Sequence, residues 1–589
     1  MISIPILHVD QPNKYDSDSI RIVESEFHKQ YFGDFLYLPV YIKHRHFFTD
    51  PDQSARFYKS ISTSLQDSGL DFNLTGKLPA EREFRELIKR DFLLYLVLSL
   101  GISVLILLLL YRRAIFIFLP VLVGIFSLVI VFSIMALLLF PISIMSVLLP
   151  PLLLFTSTSD TIHLLNAVRR FGLENGIKKV IKPTFLTSIT TALGFLSLLW
   201  INVEPVRQFG TAAAVGVLVA FFLTYSIVPF ILHRGSSKSS ANQKTIHFIN
   251  PLRYKKRIGI IGSLILLLSL FGTTQLEIDA YLLDDLPDRS AIKGSFQRMD
   301  ETLGGSKPWL LLAWTDKGRI WDENKVKSLK KIEKFLVNKY GIERLITPLS
   351  AFEYSRTIYP DRQDRAIDLA KTLSRNFSDT SMIFSGFIPE IGSKATMERN
   401  NEFREFLDQS VEVKNLHARI TGTTYLIDKS HHLLSEKLIY GLITAVLTVS
   451  VFLGIFFRSW KWGLIALIPN LLTLIVIAGI IGLLGIPLQL SNAIIFSVAF
   501  GVVVDDTIHF IASYRQLERS KSRSERIVMT LNNTGSSILY TSVVIMSGFA
   551  IFLFSSFGAT FYMGLFMVLA VLIALLVDLI FLPVILPKD

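Results

Sequence analysis

Eleven long apolar runs constrain this chain of 589 residues more than any motif does. They lie at about 92–111, 115–139, 142–165, 184–202, 209–232, 258–274, 437–457, 462–485, 490–512, 536–556 and 561–585. A run of about 18 or more apolar residues is long enough to cross a bilayer as a helix. A helix buried in a soluble core would keep a polar stripe, and these runs are apolar on every face. Pro120, Pro150, Pro151 and Pro469 stand inside them, which membrane bundles tolerate because neighbouring helices satisfy the freed backbone groups. Composition agrees: 51% of residues are hydrophobic and 18% charged, whereas soluble domains carry about 25% charge. With no cysteine, a disulfide framework, a thiol nucleophile and Cys-ligated metal are all excluded.

Short loops set the orientation. The loops 112–113, 166–183, 233–257, 458–461 and 513–534, with the tail 586–589, hold 22 Lys and Arg. The opposite short loops 140–141, 203–208, 486–489 and 557–560 hold one, Arg207. The basic side is therefore expected to be cytoplasmic. The formal charge of +12 marks that side and not a nucleic-acid partner. Arg253, Lys255, Lys256 and Arg257 read as a topology signal, with a lipid-headgroup site as the alternative. Two hydrophilic segments, about 1–91 and 275–433, then lie outside. Within the second, 309–314 reads as a buried strand, and 323–340 and 397–412 carry helical periodicity, so an α/β domain is expected.

The chain is a duplicated unit. Thr75-Gly76 recurs as Thr421-Gly422, Phe57 as Phe403, Pro141 as Pro487, and Asp160-Thr161-Ile162-His163 as Asp506-Thr507-Ile508-His509, all at an offset of 346. Further on the offset is 354: Thr187-Ser188 with Thr541-Ser542, Gly194-Phe195 with Gly548-Phe549, Gly210 with Gly564, Pro229 with Pro583. Each half is a soluble α/β piece followed by five membrane helices, and both halves face the same way, which makes a parallel repeat. The expected fold is a polytopic α-helical membrane protein of about 11 transmembrane helices (5+6) with extracytoplasmic α/β porter domains. Its expected parts are a shortened lobe at 1–91, a five-helix bundle at 92–232, a basic cytoplasmic linker at 233–257, a leading helix at 258–274, a porter domain at 275–433 and a second five-helix bundle at 437–589. Residues 1–34 carry no signal-peptide pattern. A twelfth, leading helix is expected in the ancestral unit ahead of the first lobe.

Ionisable groups inside membrane helices are costly and mark function. The third run holds Asp160 and His163; the ninth holds Asp505, Asp506 and His509. Spacings of three and four put Asp160 with His163, Asp506 with His509 and Asp505 with His509 on shared helix faces. Repeat symmetry brings the two helices together at a pseudo-twofold axis. Adjacent carboxylates in a low dielectric cannot both ionise cheaply, which suits them to carrying protons. One charge crossing 100 mV releases about 2.3 kcal/mol, a sufficient motor in a chain without a G-x-x-x-x-G-K-[ST] phosphate loop. Thr187 and Ser188, Thr190 and Thr191, and the counterparts Thr541 and Ser542 relay or position the proton, or pack helices closely. The two histidines let protons in or pair with the carboxylates. Asn470 and Asn492 read as caps or inter-helix contacts. Asp578, whose repeat position is Thr224, is left out of the relay. No HxxxH or HExxH spacing is present, so no metal is expected, and no cofactor. An intramembrane aspartyl protease needs Gly-x-Gly-Asp, where Val503-Val504-Asp505 stands.

The duplicated halves and the run Gly501 to Phe510 (GVVVDDTIHF) resemble the resistance–nodulation–division superfamily, in its MMPL/Patched-like branch of exporters. Gly501, Asp505, Asp506, Ile508 and His509 match that family's pattern. In the first half Phe155 replaces the Gly and Ser159 the first Asp, leaving Asp160, Ile162 and His163. The resemblance implies a proton-driven exporter of lipid or other hydrophobic or amphiphilic molecules in a bacterial cytoplasmic membrane. Membrane lipids surround it, protons drive it, and a homo-oligomer or a periplasmic partner is compatible with it. It also implies βαβ-type porter subdomains, two of them in 275–433 and about one in 35–80. A SecDF-like protein-secretion accessory and a non-transporting, sterol-sensing-like protein are the alternative readings.

Overall fold

A computed structural model gives the architecture. It describes residues 6–9, 20–23, 30–32, 35–37 and 51–67, and from residue 77 all but 112, 202, 235–247, 282–285, 288, 361, 374–377, 411–414, 490–493, 518–519 and 588–589. The repeat mark Thr75-Gly76, Asn492 and much of the 233–257 linker lie outside the described residues, as does the Phe57 side chain. The chain forms two units, Met1–Glu86 with Tyr281–Lys429, and Leu87–Ala280 with Ser430–Asp589.

The chain begins with two antiparallel strand pairs, β1 (Ile6–Val9) with β2 (Ile20–Val23) and β3 (Gln30–Phe32) with β4 (Phe35–Tyr37), then α1 (Pro51–Asp67). The first half of the membrane unit is α2 (Lys77–Leu110), α3 (Ala114–Leu137), α4 (Leu149–Phe171), α5 (Leu173–Leu196) and α6 (Glu204–Arg234), and α7 (Lys255–Thr273) leads the second. The lobe follows as α8 (Ala291–Leu303), β5 (Lys307–Thr315), α9 (Glu323–Phe335), α10 (Pro348–Ile358), α11 (Gln363–Leu373), β6 (Ser381–Ile388), α12 (Ser393–Ser410) and β7 (Leu416–Thr421). The second bundle is α13 (Thr423–Phe456), α14 (Trp460–Leu483), α15 (Ile495–Gln516), the short α16 (Arg523–Thr530), α17 (Ser536–Ala550) and α18 (Gly558–Leu576).

Nine helices among the described residues are long and apolar enough to span a bilayer. Two of the eleven runs differ in kind. The run 437–457 appears as the apolar part Tyr440–Phe456 of α13. The run 142–165 forms α4, whose stretch Thr156 to His163 is polar, and whose residues are almost all buried. Burial separates lining from core: 83% of the α15 span is enclosed, against 11% of Pro251–Thr273, whose large apolar side chains face outward. The chain is thus a multi-pass membrane protein with α4 and α15 innermost.

Two local features set the neighbours of these helices. Gly172, at φ +82, joins α4 to α5 as a single residue, a left-handed turn that favours glycine. The second half spends more chain on the same step, through α16 and a π-helical turn at Leu531–Gly535. The change of offset from 346 to 354 falls between the His163–His509 and Thr187–Thr541 pairs, where this step lies. At the start of the α2 apolar run, Asp91 is buried and accepts from Tyr95 Oη (3.2 Å), Ser555 Oγ (2.9 Å), Ser556 N (3.0 Å) and Ser556 Oγ (3.0 Å). Four donors compensate the loss of water around that carboxylate.

In the lobe, β5 is the central strand of a three-stranded sheet and runs antiparallel to both β6 and β7. Its alternating Trp309, Leu311 and Ala313 point into a core with Leu329, Ile332, Phe352, Phe384 and Phe403. The expected strand 309–314 and helices 323–340 and 397–412 are present in β5, in α9 with its π-helical extension to Tyr340, and in α12. Ile346 forms an isolated antiparallel bridge to Ser385 of β6. The two expected subdomains are corrected here. The two β-α pieces interleave into one sheet over one core among the described residues, because β5 from the first piece inserts between β6 and β7 of the second. The lobe also buries Lys307 between Glu390 (2.7 Å) and Asp428 (3.2 Å).

Candidate functional site

The site forms where the halves cross. Helix α4 of the first half packs on α17 of the second, and α15 of the second packs on α5 of the first. Small residues allow the second crossing. A Cβ on Gly194 would lie 2.7 Å from the Gly501 Cα, so the two backbones touch there. Thr191 Oγ1 donates to the Gly501 carbonyl across this contact at 2.7 Å. The symmetric crossing is built differently. Phe155, at the repeat position of Gly501, places its ring in the notch of Gly548, where a Cβ would meet Phe155 Cδ2.

One turn along, Asp160, His163, Asp505, Asp506 and His509 are all buried and converge. The rings of His163 and His509 stack at 3.9 Å with 5° between their planes. This stack joins the two repeats across the pseudo-twofold axis. His509 Nε2 lies 3.3 Å from Asp505 Oδ1, the i, i+4 pair expected from sequence. The other two expected pairs take different partners. Asp506 accepts from Thr541 Oγ1 (3.2 Å) and Ser542 Oγ (2.7 Å). Asp160 faces Ser188, and Asp505 faces Thr187. The supporting Ser and Thr pairs thus serve the carboxylates in both halves, while also bonding their own helix backbones.

Asp578 lies beside this cluster. Left out of the cluster on sequence grounds, it is fully buried and accepts from Thr507 Oγ1 at 2.6 Å. Thr507 adjoins Asp506, and Asn470 Nδ2 reaches the same hydroxyl at 3.4 Å. Asp578 lies in a π-helical turn, Val577–Phe581, a distortion frequent at functional sites. The first half holds the same contact in weaker form, Thr161 Oγ1 to Thr224 Oγ1 at 3.4 Å. The repeat register, Thr161 with Thr507 and Thr224 with Asp578, carried this signal as a pair of polar positions. Among the described residues no group of three or more His, Asp or Glu is arranged to hold a metal ion.

Four carboxylates and two imidazoles therefore share one water-poor volume. Two imidazolium ions stacked at this separation would repel by about 4 kcal/mol at an effective dielectric of about 20. The stack holds one positive charge far more cheaply than two. Such a set can accept, hold and pass protons between neighbours, with hydroxyls at Thr187, Ser188, Thr541, Ser542 and Thr507 orienting the acceptors.

Comparison with known proteins follows the same lines. The MMPL family profile matches residues 33–250 and 387–587, most of the chain. The chain belongs to the MMPL family. A membrane protein of Methanocaldococcus jannaschii is 25% identical over 240 residues, 39% of this chain. The match spans 62% of the length of that curated relative. Among solved structures, the hedgehog release protein Disp of the water bear Hypsibius dujardini superposes with a TM-score of 0.62 at 15% identity, over 85% of this chain and 71% of that one. SecDF, a translocon-associated membrane protein of Thermus thermophilus, gives 0.56 at 14%, over 85% and 62%. Both are alike in fold, which is that of RND/MMPL-type polytopic membrane proteins.

Proposed function

We propose that this MMPL-family chain is a proton-driven exporter of lipid or other hydrophobic or amphiphilic molecules from a bacterial cytoplasmic membrane, with its lobe outside. One observation carries the reading: titratable side chains from both repeats meet in one buried cluster around the His163–His509 stack. Asp505, Asp506, His509, Asp160 and His163 form the relay. Thr187, Ser188, Thr541 and Ser542 orient it, and Asp578 joins it through Thr507. A proton arriving at the cluster changes the charge balance between α4 and α15. Attraction or repulsion between them moves α4 against α15 and the α5 packed on it. The membrane potential supplies about 2.3 kcal/mol per charge per 100 mV.

The test replaces Asp505 and Asp506 with Asn, singly and together, in proteoliposomes carrying a pH gradient. Proton flux is expected to fall in each single variant and to vanish in the double variant. Wild-type flux in the double variant defeats the relay. Loss of nascent secreted protein, with an unchanged membrane lipid profile in a deletion strain, would redirect the cargo from lipid to protein.

A further inference from the structure

Asp91 is a buried ionisable group that the relay does not use. It stands on α2, and both of its oxygens are taken. Tyr95 Oη, Ser555 Oγ and the Ser556 amide converge on Oδ2, and Ser556 Oγ reaches Oδ1. All four donors are neutral hydroxyl or amide groups, and their bonds to a carboxylate are charge-assisted. Three of the four come from one corner, Ser555 and Ser556, which follows α17 and the 3-10 turn Ile551–Phe554 and leads into α18. Ser555 Oγ also accepts from Phe557 N at 3.0 Å, which fixes the corner from within. Tyr95 completes the grip, since its ring packs on Phe552 with centroids 5.1 Å apart.

The other end of α17 touches the relay. Its Thr541 and Ser542 hydroxyls donate to Asp506. Ser542 and Ser555 are about 20 Å apart along the helix at 1.5 Å per residue. No proline interrupts α17, so a displacement at Asp506 reaches the corner. The titratable neighbours differ at the two ends: Asp505 and Asp578 at Asp506, and Tyr95 at Asp91.

Repeat symmetry supplies the comparison. In the other crossing α5 carries Thr187 and Ser188 and ends in the 3-10 turn Ser197–Trp200. Helix α13 meets that turn at Gly441, where a Cβ would lie 3.2 Å from the Ser197 carbonyl oxygen. Gly441 is the repeat position of Tyr95, and Lys437, a residue with no acceptor, is that of Asp91. Each long helix thus seats on the end of a hydroxyl-bearing helix from the other half. The α2 seat has a carboxylate and a tyrosine where the α13 seat has a lysine and a glycine.

We propose that Asp91 is a positioning residue of the relay. It locks α2 to the Ser555–Ser556 corner, so that a displacement of α17 set by the protonation of Asp506 moves α2 with it. The lock rests on the relay reading.

The experiment uses the full chain in nanodiscs. The chain has no cysteine, so a nitroxide pair can be placed with Val97→Cys on α2 and Phe222→Cys on α6. Both side chains are exposed, and α6 packs on α5. Double electron–electron resonance reads the pair distance at neutral and at mildly acid pH, and an indicator dye reads proton uptake over the same step. The labelled parent is expected to shift with acid. Asp505→Asn with Asp506→Asn is expected to lose the shift and part of the uptake. Asp91→Asn is expected to lose the shift and keep the parent's uptake. Ser556→Ala is expected to reduce the shift, and Ser556→Thr, which keeps the hydroxyl, to retain it. If Asp91→Asn does not fold, the two Ser556 variants carry the test. A full shift in Asp91→Asn or in Ser556→Ala overturns the lock, and the relay stands as long as uptake still depends on Asp505 and Asp506. A parent pair that does not shift overturns the lock as well. Uptake equal to the parent's in the double Asn variant overturns the relay, and the lock with it. Loss of uptake in Asp91→Asn makes Asp91 a proton site and overturns its role as a lock.

Discussion

Replacing Gly194 with Ala tests whether the crossing of α5 and α15 holds the relay in place. The added methyl would lie 2.7 Å from Gly501 Cα and 3.2 Å from Gly501 N, both backbone atoms. Carbon–carbon contacts favour about 3.5–4.0 Å, so the helices must part by about 1 Å. The Thr191–Gly501 bond, now 2.7 Å, would stretch to about 3.7 Å, beyond hydrogen-bonding range. Overpacking costs about 1–3 kcal/mol and the lost bond about 1, so about 2–4 kcal/mol of stability should go. Thermal unfolding of the purified chain in detergent should show a Tm lower by several degrees. Proton flux should fall with it, because Thr187 and Ser188 ride on α5. Gly501→Ala meets Thr191 O at 3.2 Å, Gly194 Cα at 3.6 Å and Thr191 Cα at 3.7 Å, none closer than 3.0 Å, so it should cost less. Gly548→Ala clashes with the Phe155 ring instead, and a second change, Phe155→Leu, should rescue it but not Gly194→Ala. An unchanged Tm for Gly194→Ala, or equal rescue of both by Phe155→Leu, would refute the argument.

Three more outcomes are expected. Lys307→Met leaves Glu390 and Asp428 buried without their cation and should cost about 3–5 kcal/mol in chemical denaturation, most of it recovered when Glu390→Gln and Asp428→Asn are added; a stable single variant contradicts a buried ion triad. Asp578→Asn keeps an acceptor for Thr507 and should preserve the fold while lowering proton flux, and wild-type flux would make Asp578 a packing residue only. Burial raises Glu333 above its ordinary value of 4.5, against the opposing Thr347 hydrogen bond. The folded lobe therefore binds the Glu333 proton more readily than the unfolded chain does. Its contribution to stability falls as pH rises through and above 4.5, and Glu333→Gln should flatten that part of a stability–pH curve.

Much of the membrane unit was legible because apolar runs and repeat offsets are local or one-dimensional signals. The pairing of helices was not, since nothing in the runs says that α4 meets α17 or that α15 meets α5. That pairing explains Phe155. Read along the sequence it is a lost glycine; in the structure its ring fills the notch of Gly548. Asp578 was missed for a related reason. Comparing repeats residue by residue rewards identity, and Thr224 differs from Asp578, yet both are polar partners of the equivalent Thr161 and Thr507. In the lobe, β5 and the helices showed in their periodicity, but interleaving one β-α piece into the other is a non-local choice that no window of sequence contains.

The crossings bear on which half moves. At Gly194 and Gly501 backbone meets backbone, and a hydrogen bond ties α5 to α15. Any motion there must carry both helices together. At Gly548 the contact is a side-chain ring, which can slide or tilt without breaking a backbone contact. The carboxylates are uneven in the same sense. Three of the four, Asp505, Asp506 and Asp578, belong to the second half, the first two on α15 of the tight crossing, and Asp160 alone belongs to α4. Under the proposed relay, proton loading concentrates beside α15, and its electrostatic consequence falls on α4 through the stacked His163 and His509. Under the relay reading, α4 with its Phe155 contact is the compliant element, and α15 with α5 is the frame against which it works.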